Sequence, residues 1–533
     1  MCLVLCLLGS LVLRAKTPAG LGELHISATP DGHLTVDATV GRRVTSVQLE
    51  LADAQDRRLL LRGGLQPQKG RVHFEERLSF PVQPWSAENP VTYMLKVWVF
   101  SPGGLQELRF FPFAFRTVEQ RRGRWVVNAT AVQPKGLRHT DLLPEGDCSE
   151  GDLLYAIRQL KQLNINAVCE DYRSGDAQWS TLCDRFGLYR VPAQLLDSCA
   201  AAPQALRYRF RDIRTAGTPW VLEVTNGYFF RDLADVRLCW SLESDGEPVK
   251  TGEVEWLNAG PQETVQLNLG VSPQQLEGLP GTLTLTVRYV LKRDRSLLQA
   301  GTELCAQQLL LRDNRPVLMD CEGAAIGQAQ QPGRTVFSGP SWSVAFDPST
   351  GGLCSLVRDG REWLAEPLLP DLPEARPRRF NVVTLDQACL VEVSWPDAAV
   401  SYRIAADGSV SGVANAPLRL ALPAACNRVD FLGLGPEETL PDSTEGALLG
   451  RYRQAAGEAG VHSGLRFYRL LDAAGAGLEV SSPLDFTAAV RPYTPDGRLL
   501  TSLRLSAPAD APFFFVIKTT DPSSPSAPQD DKR

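Results

Sequence analysis

The stretch covering residues 121–198 constrains the fold of this chain more than any other. It predicts two amphipathic helices, because apolar residues recur at intervals of three and four in each. In the first helix, at residues 152–163, these are Leu153, Ile157, Leu160 and Leu163; in the second they are Trp179, Leu182 and Phe186. Gly187 follows the second helix as a stop signal. Short apolar runs before, between and after the helices predict strands at residues 125–127, 164–168 and 188–191.

The resulting order, with strands and helices in alternation, is typical of α/β folds, whose functional sites lie at the carboxyl ends of parallel strands. Polar residues stand at those positions, at 138–141, 169–172 and 192–197. A closed barrel of eight such units takes about 250 residues. Because the helical pattern ends after Asp197, we expect only the opening part of a barrel.

Alternating β patterns fill the rest of the chain. Strands are predicted ahead of the α/β segment at residues 24–28, 33–40, 44–51, 94–100 and 108–115. After a small-residue linker at 200–205, further strands are predicted at 206–211, 221–226, 236–242, 264–269, 281–291 and 303–311, with Asp245-Gly246 as a hairpin turn. Both sets are typical of immunoglobulin-like sandwiches, and residues 335–520 are again all β. We therefore expect a mainly β, multi-domain protein with a short α/β segment.

Composition narrows the classes of function. With 533 residues, 44% of them hydrophobic, and a net charge of -6, the chain is typical of a soluble multi-domain protein and has no basic stripe for nucleic acid. Its 12 cysteines form no CxxC pair and its five histidines are scattered, which favours reduced thiols in the cytoplasm over a zinc site. Residues 1–14 are apolar but too short to span a membrane. They are either a secretion signal or, in the interpretation that we favour, a strand.

The α/β segment resembles the opening of the catalytic barrel in the long bacterial β-galactosidases of glycoside hydrolase family 2. The residues that carry this resemblance are Lys135-Gly136, Asn166-Ala167-Val168, Trp179 and Leu182-Cys183-Asp184-Arg185-Phe186-Gly187-Leu188-Tyr189. Further motifs resemble the same family in the same order along the chain: Trp85-Ser86-Ala87-Glu88-Asn89-Pro90, Phe113-Ala114-Phe115-Arg116, Asn226-Gly227-Tyr228 and Leu434-Gly435-Pro436-Glu437-Glu438. The resemblance implies that the chain lacks the family's N-terminal jelly roll and most of its catalytic barrel.

Pattern and resemblance together predict six parts. They are an immunoglobulin-like sandwich (1–119), a barrel remnant (120–199), a second immunoglobulin-like sandwich (200–315), a linker (316–334), a reduced C-terminal β-supersandwich (335–522) and a disordered tail (523–533).

The departures from the family fall mainly on its chemistry. The position of the family's sugar-site histidine is Thr140 here, with His139 one place early, and the third-strand Asp-Glu pair is Pro192-Ala193. The family's metal-ligand Glu and His positions are Asp197 and Cys199. The family uses Mg²⁺ and Na⁺, but these differences predict that the chain holds neither a metal nor another cofactor.

Glycoside hydrolysis with retention needs two carboxyl groups about 5–5.5 Å apart, one protonated and one ionised. The strand-end residues Glu170 and Asp171, together with His139, are the candidates for binding a sugar, and Asp197 is the candidate metal ligand. A solvated turn is the simpler interpretation of Glu170 and Asp171, so no catalytic residue is predicted. Cys169 and Cys183 have no histidine at a suggestive spacing and are interpreted as core thiols.

Three interpretations of function stay open. The first is a catalytically inactive, β-galactosidase-related scaffold that binds carbohydrate or protein. The second is a working β-galactosidase whose missing barrel comes from a partner chain, and it predicts a large exposed apolar surface around Val127, Ile165, Val168 and Leu188. The third is a non-functional gene remnant. Self-association is compatible with each of them, whereas nucleic acid and membrane are not expected as partners.

Overall fold

The computed structural model describes residues 20–198, 201–315, 325–373, 376–385, 388–508 and 511–520. The apolar run at 1–14, Cys199 and the tail predicted at 523–533 lie outside the described residues. The predicted mainly β architecture is confirmed, with sandwiches on both sides of a short α/β segment. In the described part of the chain, no helix is both long and apolar enough to cross a membrane.

The first sandwich consists of two antiparallel sheets with strand orders β1-β2-β5 and β4-β3-β6-β7. Its strands are β1 (Leu21–Ala28), β2 (His33–Val40), β3 (Ser46–Ala52), β4 (Arg58–Leu65), β5 (Arg71–Arg77), β6 (Tyr93–Ser101) and β7 (Gly104–Phe113). All five predicted strands are present, and β4 and β5 were missed. The edge strand β4 is largely exposed and has no clean alternation, whereas β5 buries Val72 and Phe74 between charged residues.

The α/β segment begins with a small antiparallel sheet. The strands of that sheet are β8 (Val118–Arg121), β9 (Arg124–Val127) and β10 (Thr130–Val132). The prediction that residues 125–127 open a parallel sheet is therefore wrong, because β9 pairs antiparallel with both neighbours. Two tight turns cause this, at Arg122-Gly123 and at Asn128-Ala129, where all four residues have positive φ.

The predicted helices and the parallel pairing after them are confirmed. The elements are α1 (Glu150–Gln162), β11 (Ala167–Cys169), α2 (Ala177–Phe186) and β12 (Tyr189–Val191), and β11 pairs parallel with β12. A capping box between Ser149 and Asp152 starts α1. Gly187 ends α2 with φ 74°, and a Cβ at this position would lie 2.3 Å from the Ala87 carbonyl oxygen. Only glycine therefore lets α2 end against the first sandwich.

Residues 206–211 form no strand, contrary to the prediction. They belong instead to helix α3 (Pro203–Arg209) and its end at Phe210. Over six residues, an apolar period of two is hard to tell from helical spacing, and Leu206 and Phe210 share one buried helical face. Pro203 at the first turn was a helix-start signal that the strand prediction ignored.

The second sandwich pairs a sheet of order β13-β14-β17 with one of order β16-β15-β18-β19. Its elements are β13 (Ile213–Thr218), β14 (Val221–Asn226), β15 (Val236–Ser244), β16 (Glu247–Val254), β17 (Thr264–Leu267), α4 (Pro273–Glu277), β18 (Leu283–Leu291) and β19 (Glu303–Arg312). The hairpin turn predicted at Asp245-Gly246 is confirmed, since it joins β15 to β16 and both of its residues have positive φ.

The C-terminal region is one sheet of 17 strands in the described residues, curled around a single large core. Pairings between distant strands, such as β29 with β36 and β25 with β30, close it into a sandwich. The strands are β20 (Gly327–Gln331), β21 (Arg334–Ser338), β22 (Trp342–Phe346), β23 (Leu353–Arg358), β24 (Arg361–Glu362), β25 (Glu366–Pro370), β26 (Arg379–Thr384), β27 (Ala388–Ser394), β28 (Ala399–Ala405), β29 (Val410–Ala414), β30 (Leu418–Pro423), β31 (Arg428–Gly435), β32 (Leu448–Ala455), β33 (Val461–Leu471), β34 (Gly477–Tyr493), β35 (Leu500–Ser506) and β36 (Phe513–Thr520).

Candidate functional site

The structure places the predicted site residues in two exposed turns of the α/β segment. Glu170 and Asp171 follow β11, and the Glu170 N–H donates to the Val191 carbonyl at 2.9 Å. Near Asp197 and His139, the Arg138 N–H donates to the Asp197 carbonyl at 2.8 Å. All four residues are exposed. Within the described residues, their side chains make one polar contact, in which the Cys169 thiol lies 3.9 Å from Asp171 Oδ2.

The surroundings of Glu170 change its acidity. Partial burial, followed by the charge of the neighbouring Asp171, raises the pKa of Glu170. A raised pKa is what a general acid needs, but such an acid must also be held in place by its surroundings. Nothing in the described residues fixes the Glu170 carboxylate, so the second requirement is not met.

Asp197 is not joined by other metal ligands. Among the described residues, no group of three or more His, Cys, Asp or Glu side chains is arranged to hold a metal ion. Mg²⁺ is bound through several oxygen ligands in near-octahedral geometry. The residues around Asp197 therefore do not fit the metals that the resemblance implies, and no chemical step is assigned to a metal here.

The four apolar residues that a complementing barrel would cover are already buried. Val127, Ile165, Val168 and Leu188 are each 2% exposed or less, which contradicts the exposed surface expected of a barrel that waits for a partner chain. Leu206 of α3 and Phe210, which follows it, belong to the core of Ile165, Val168 and Leu188, whereas Trp85 of the first sandwich belongs to a second core with Val127.

On the β11 side, the α/β segment is extended by two further stretches of the chain. Leu137 and Asp197 form a parallel bridge, and the Asp197 N–H donates to the Gly136 carbonyl at 3.0 Å. The Ala167 N–H at the start of β11 donates to the Lys135 carbonyl, also at 3.0 Å. Residues 135–138 therefore have a neighbour on each side, which protects this stretch from pairing with another chain.

A groove of about 770 Å³ lies between this segment and the first sandwich. We call it the α2–β7 groove: β6, β7 and the turn after β3 form one side, and α2 and β12 form the other. Glu170 is the one predicted site residue that lines it. A volume of this size is in the range of about 300–1,000 Å³ found for small-molecule sites.

A polar clamp joins the two sides of the groove. Asp184 of α2 accepts two hydrogen bonds from Arg116, at 2.7 and 3.1 Å. The Asp184 carbonyl accepts another from Trp85 Nε1 at 2.7 Å, and the Arg116 guanidinium lies 4.3 Å from the centre of a Trp85 ring. These contacts set the distance between α2 and the sandwich, and thereby the width of the groove.

A second buried polar cluster lies where the two sandwiches and the α/β segment meet. Glu88 accepts from the backbone N–H groups of Phe229 and Phe230 at 3.0 and 2.7 Å, and burial raises the pKa of Glu88. Lys135 pairs with Asp212 close by. Both oxygens of Glu88 are occupied by backbone, so this carboxylate joins parts of the fold and is not free for a substrate.

Sequence reasoning missed the groove and its clamp. Trp85, Arg116 and Asp184 were recognised only as members of motifs that carry the resemblance. No local pattern links Arg116 to Asp184, which lies 68 positions away. The available signal was that all three of these polar or aromatic residues fall within runs that resemble one family.

Two family models match the chain. The model described as β-galactosidase, domain 4, matches residues 222–312, and the model of the β-galactosidase small chain matches residues 374–497. The first covers most of the second sandwich, and the other covers much of the C-terminal sheet.

Individual relatives agree with these matches. A β-galactosidase of Lactobacillus delbrueckii subsp. bulgaricus is 30% identical over 203 residues, which are 36% of this chain and 20% of that enzyme. A β-galactosidase of Yersinia enterocolitica is 33% identical over 217 residues, which are 36% of this chain and 21% of that enzyme. The matched stretches thus span about a fifth of these relatives.

Among solved structures, a β-glucuronidase of Parabacteroides merdae is similar over 37% of this chain and 27% of its own, with 17% identity and a TM-score of 0.27. A similarity at that level supports no conclusion about fold or function.

Proposed function

We propose that this chain, which matches β-galactosidase family models and sequences over part of its length, is a carbohydrate-binding scaffold that does not hydrolyse glycosides by itself. One observation carries the proposal. The carboxylates at the strand ends of the α/β segment are exposed, and in the described residues their one hydrogen bond is the long contact of Asp171 with the Cys169 thiol.

Retaining hydrolysis needs one carboxyl group to donate a proton and a second, about 5–5.5 Å away, to attack the sugar. Each group must be held to within about 0.5 Å of its working position by its surroundings. Glu170 and Asp171 are adjacent in one turn, and the raised pKa of Glu170 has the direction that suits an acid. Because no hydrogen bonds orient the two carboxylates, the pair does not meet the requirement for a fixed position.

The closed core favours a chain that acts without a complementing barrel. Val127, Ile165, Val168 and Leu188 are covered by the chain's own helices and by the first sandwich. A partner that supplied the rest of a barrel would have to displace the bridge between Leu137 and Asp197. A two-chain β-galactosidase is therefore the less supported alternative.

The test is hydrolysis of a chromogenic β-galactoside by the full chain, purified from a host without β-galactosidase and assayed with magnesium present. We expect no turnover above that of a buffer blank. The matched variant is Glu170→Gln, which keeps the size of the side chain and removes its acid. Turnover by the wild-type chain that disappears in Glu170→Gln would overturn the proposal.

Binding is tested separately, by titrating the wild-type chain with lactose and following ligand NMR signals. The proposed scaffold binds the sugar and leaves it intact over days. A chain that neither binds nor cleaves any of several neutral disaccharides would contradict the carbohydrate role.

A further inference from the structure

The α2–β7 groove combines one exposed aromatic ring with a polar wall. Phe110 of β7 is 56% exposed and lines the groove beside Met94 and Pro112. On the side formed by β12, Arg190 is exposed, and its Nη1 donates to Ser180 Oγ at 2.8 Å. Its remaining N–H groups are available to a ligand, since a guanidinium carries five donors.

The groove is lined by equal numbers of negatively and positively charged side chains. Its described lining contains four carboxylates, Asp53, Asp56, Glu170 and Asp184, and four cations, Lys96, Arg116, Arg185 and Arg190.

Two cations and three carboxylates of this lining are already paired: Arg116 with Asp184, Lys96 with Asp56, and Asp53 with Arg57, which lies outside the lining. A groove lined by one sign of charge concentrates ligands of the opposite sign. This groove has no such field, so a phosphate or a cationic peptide gains little from it.

We propose that the α2–β7 groove binds an uncharged oligosaccharide, with the Phe110 ring against an apolar face of one sugar and with Glu170 and Arg190 bonded to its hydroxyl groups. The proposal rests on the proposed function, because it gives the carbohydrate role a location. A hydroxyl both donates and accepts, so a sugar can use a carboxylate and a guanidinium side by side. An aromatic ring supplies apolar contact area at low entropic cost.

The location differs from the one that the strand-end residues suggested. His139 and Asp197 do not line the groove, whereas Glu170 does. A saccharide bound here would contact α2 and β7 and leave residues 137–141 untouched.

The experiment compares lactose binding by the wild-type chain and by Phe110→Ala and Leu105→Ala. Leu105 is the matched control, because it lies on the same strand and is 52% exposed but does not line the groove. We expect Phe110→Ala to weaken binding about tenfold, which corresponds to the loss of one aromatic contact. Leu105→Ala should bind as the wild type does.

Hydrogen exchange locates the ligand independently of any substitution. Lactose should protect β7 and α2 in the wild-type chain and leave residues 137–141 unchanged. If lactose binding is unaffected by Phe110→Ala and protects residues 137–141, the sugar does not bind in the groove. The scaffold proposal would remain intact.

The chemistry of the ligand is tested with a sulfated disaccharide and with an apolar fluorescent probe. Binding of either one without binding of lactose would show that the groove takes a charged or an apolar ligand, and would overturn the proposal. If no neutral saccharide binds the wild-type chain at all, the carbohydrate role itself fails, which is a different outcome from failure of the groove alone.

Discussion

The α/β segment and the C-terminal sheet place their charged residues in opposite ways. In the α/β segment, β11 and β12 bury apolar side chains, while Glu170 and Asp171 at the strand ends face solvent. In the C-terminal sheet, Asp430 and Glu479 are 2% and 4% exposed. Arg469 lies between these two and pairs with both.

This difference separates charges that could act on a ligand from charges that serve the fold. A buried charge is tolerated only when a partner and further hydrogen bonds compensate for its lost hydration. Asp430 and Glu479 meet that condition and have no capacity left for a substrate. Glu170 is free to contact a ligand, which is what a binding role requires. It has no supporting hydrogen bonds that would make it a catalyst.

The largest expected effect comes from breaking the buried pairs of the C-terminal sheet with Asp430→Ala. Asp430 accepts two hydrogen bonds from Arg451, at 2.9 and 2.8 Å. Its removal takes the main partner from the half-buried Arg451 and one partner from the buried Arg469, which together cost about 3–5 kcal/mol. Denaturant unfolding measures the loss in the free energy of unfolding, and hydrogen exchange in β31 and β33 shows whether the loss is local to these strands.

The control for this variant is Asp371→Ala. Asp371 pairs with Arg504 at 2.6 Å, but their side chains are 36% and 54% exposed. An exposed pair contributes only about 0–1 kcal/mol. Equal losses in the two variants would show that burial does not set the strength of these contacts, and the contrast between the two regions would fail.

The next effect tests whether the α/β segment is a real packed unit. Leu160 on α1 is fully buried among Ile157, Val168 and Trp179. We expect Leu160→Ala to cost about 2–5 kcal/mol, from lost burial and the cavity that remains. The measurement is the hydrogen-exchange protection of α1, β11 and β12.

Tyr155→Ala on the same helix is the control, since Tyr155 is 67% exposed. The stability of this variant should stay within about 0.5 kcal/mol of that of the wild type. Protection that Leu160→Ala does not change would mean that the segment is a loose remnant.

Local patterns predicted the elements of the fold better than their pairing. The strand at residues 33–40 and the one at 221–226 have the predicted bounds, because alternation of apolar and polar residues is a property of the strand itself. The pairing of β9 was mistaken, since it depends on turns with positive φ on each side of the strand. Residues 206–211 were mistaken because their spacing fits a helix as well as a strand.

The candidate site could be predicted only in part. Glu170 was recognised from its place after a strand, and it does line the groove. The groove itself depends on how β7 and α2 approach each other, which the clamp between Arg116 and Asp184 decides. Contacts between residues so far apart have no local pattern. The bridge from Leu137 to Asp197 was not predicted, for the same reason.

A smaller effect concerns pH. His462 in the C-terminal sheet is 1% exposed, and its ring lies 4.2 Å from that of Phe431. Burial lowers the pKa of His462 below its ordinary value of about 6.5. Below pH 6.5 the unfolded chain therefore binds a proton that the folded chain does not. The free energy of unfolding should fall by at most about 1.4 kcal/mol for each unit of pH, and level off below the folded pKa.

Denaturant unfolding between pH 7 and pH 5, with the wild-type chain and His462→Leu, measures this slope. His462→Leu should flatten the part of the slope that belongs to this residue. His25→Leu is the control, because His25 is exposed on β1 and its replacement leaves His462 in place. An unchanged slope in His462→Leu would show that the buried ring does not contribute to the acid sensitivity of the sheet.

The smallest effect comes from the start of α2, the helix that forms one wall of the groove. Asp176 accepts hydrogen bonds from the N–H groups of Gln178 and Trp179 at 2.9 and 3.1 Å, and it pairs with Arg173 at 2.9 Å. Asp176→Ala should cost about 0.5–2 kcal/mol through loss of the cap. Asp176→Asn keeps the cap and loses only the partly exposed ion pair, so it should cost less. If the exchange protection of α2 falls equally in both variants, the ion pair and not the cap holds this wall.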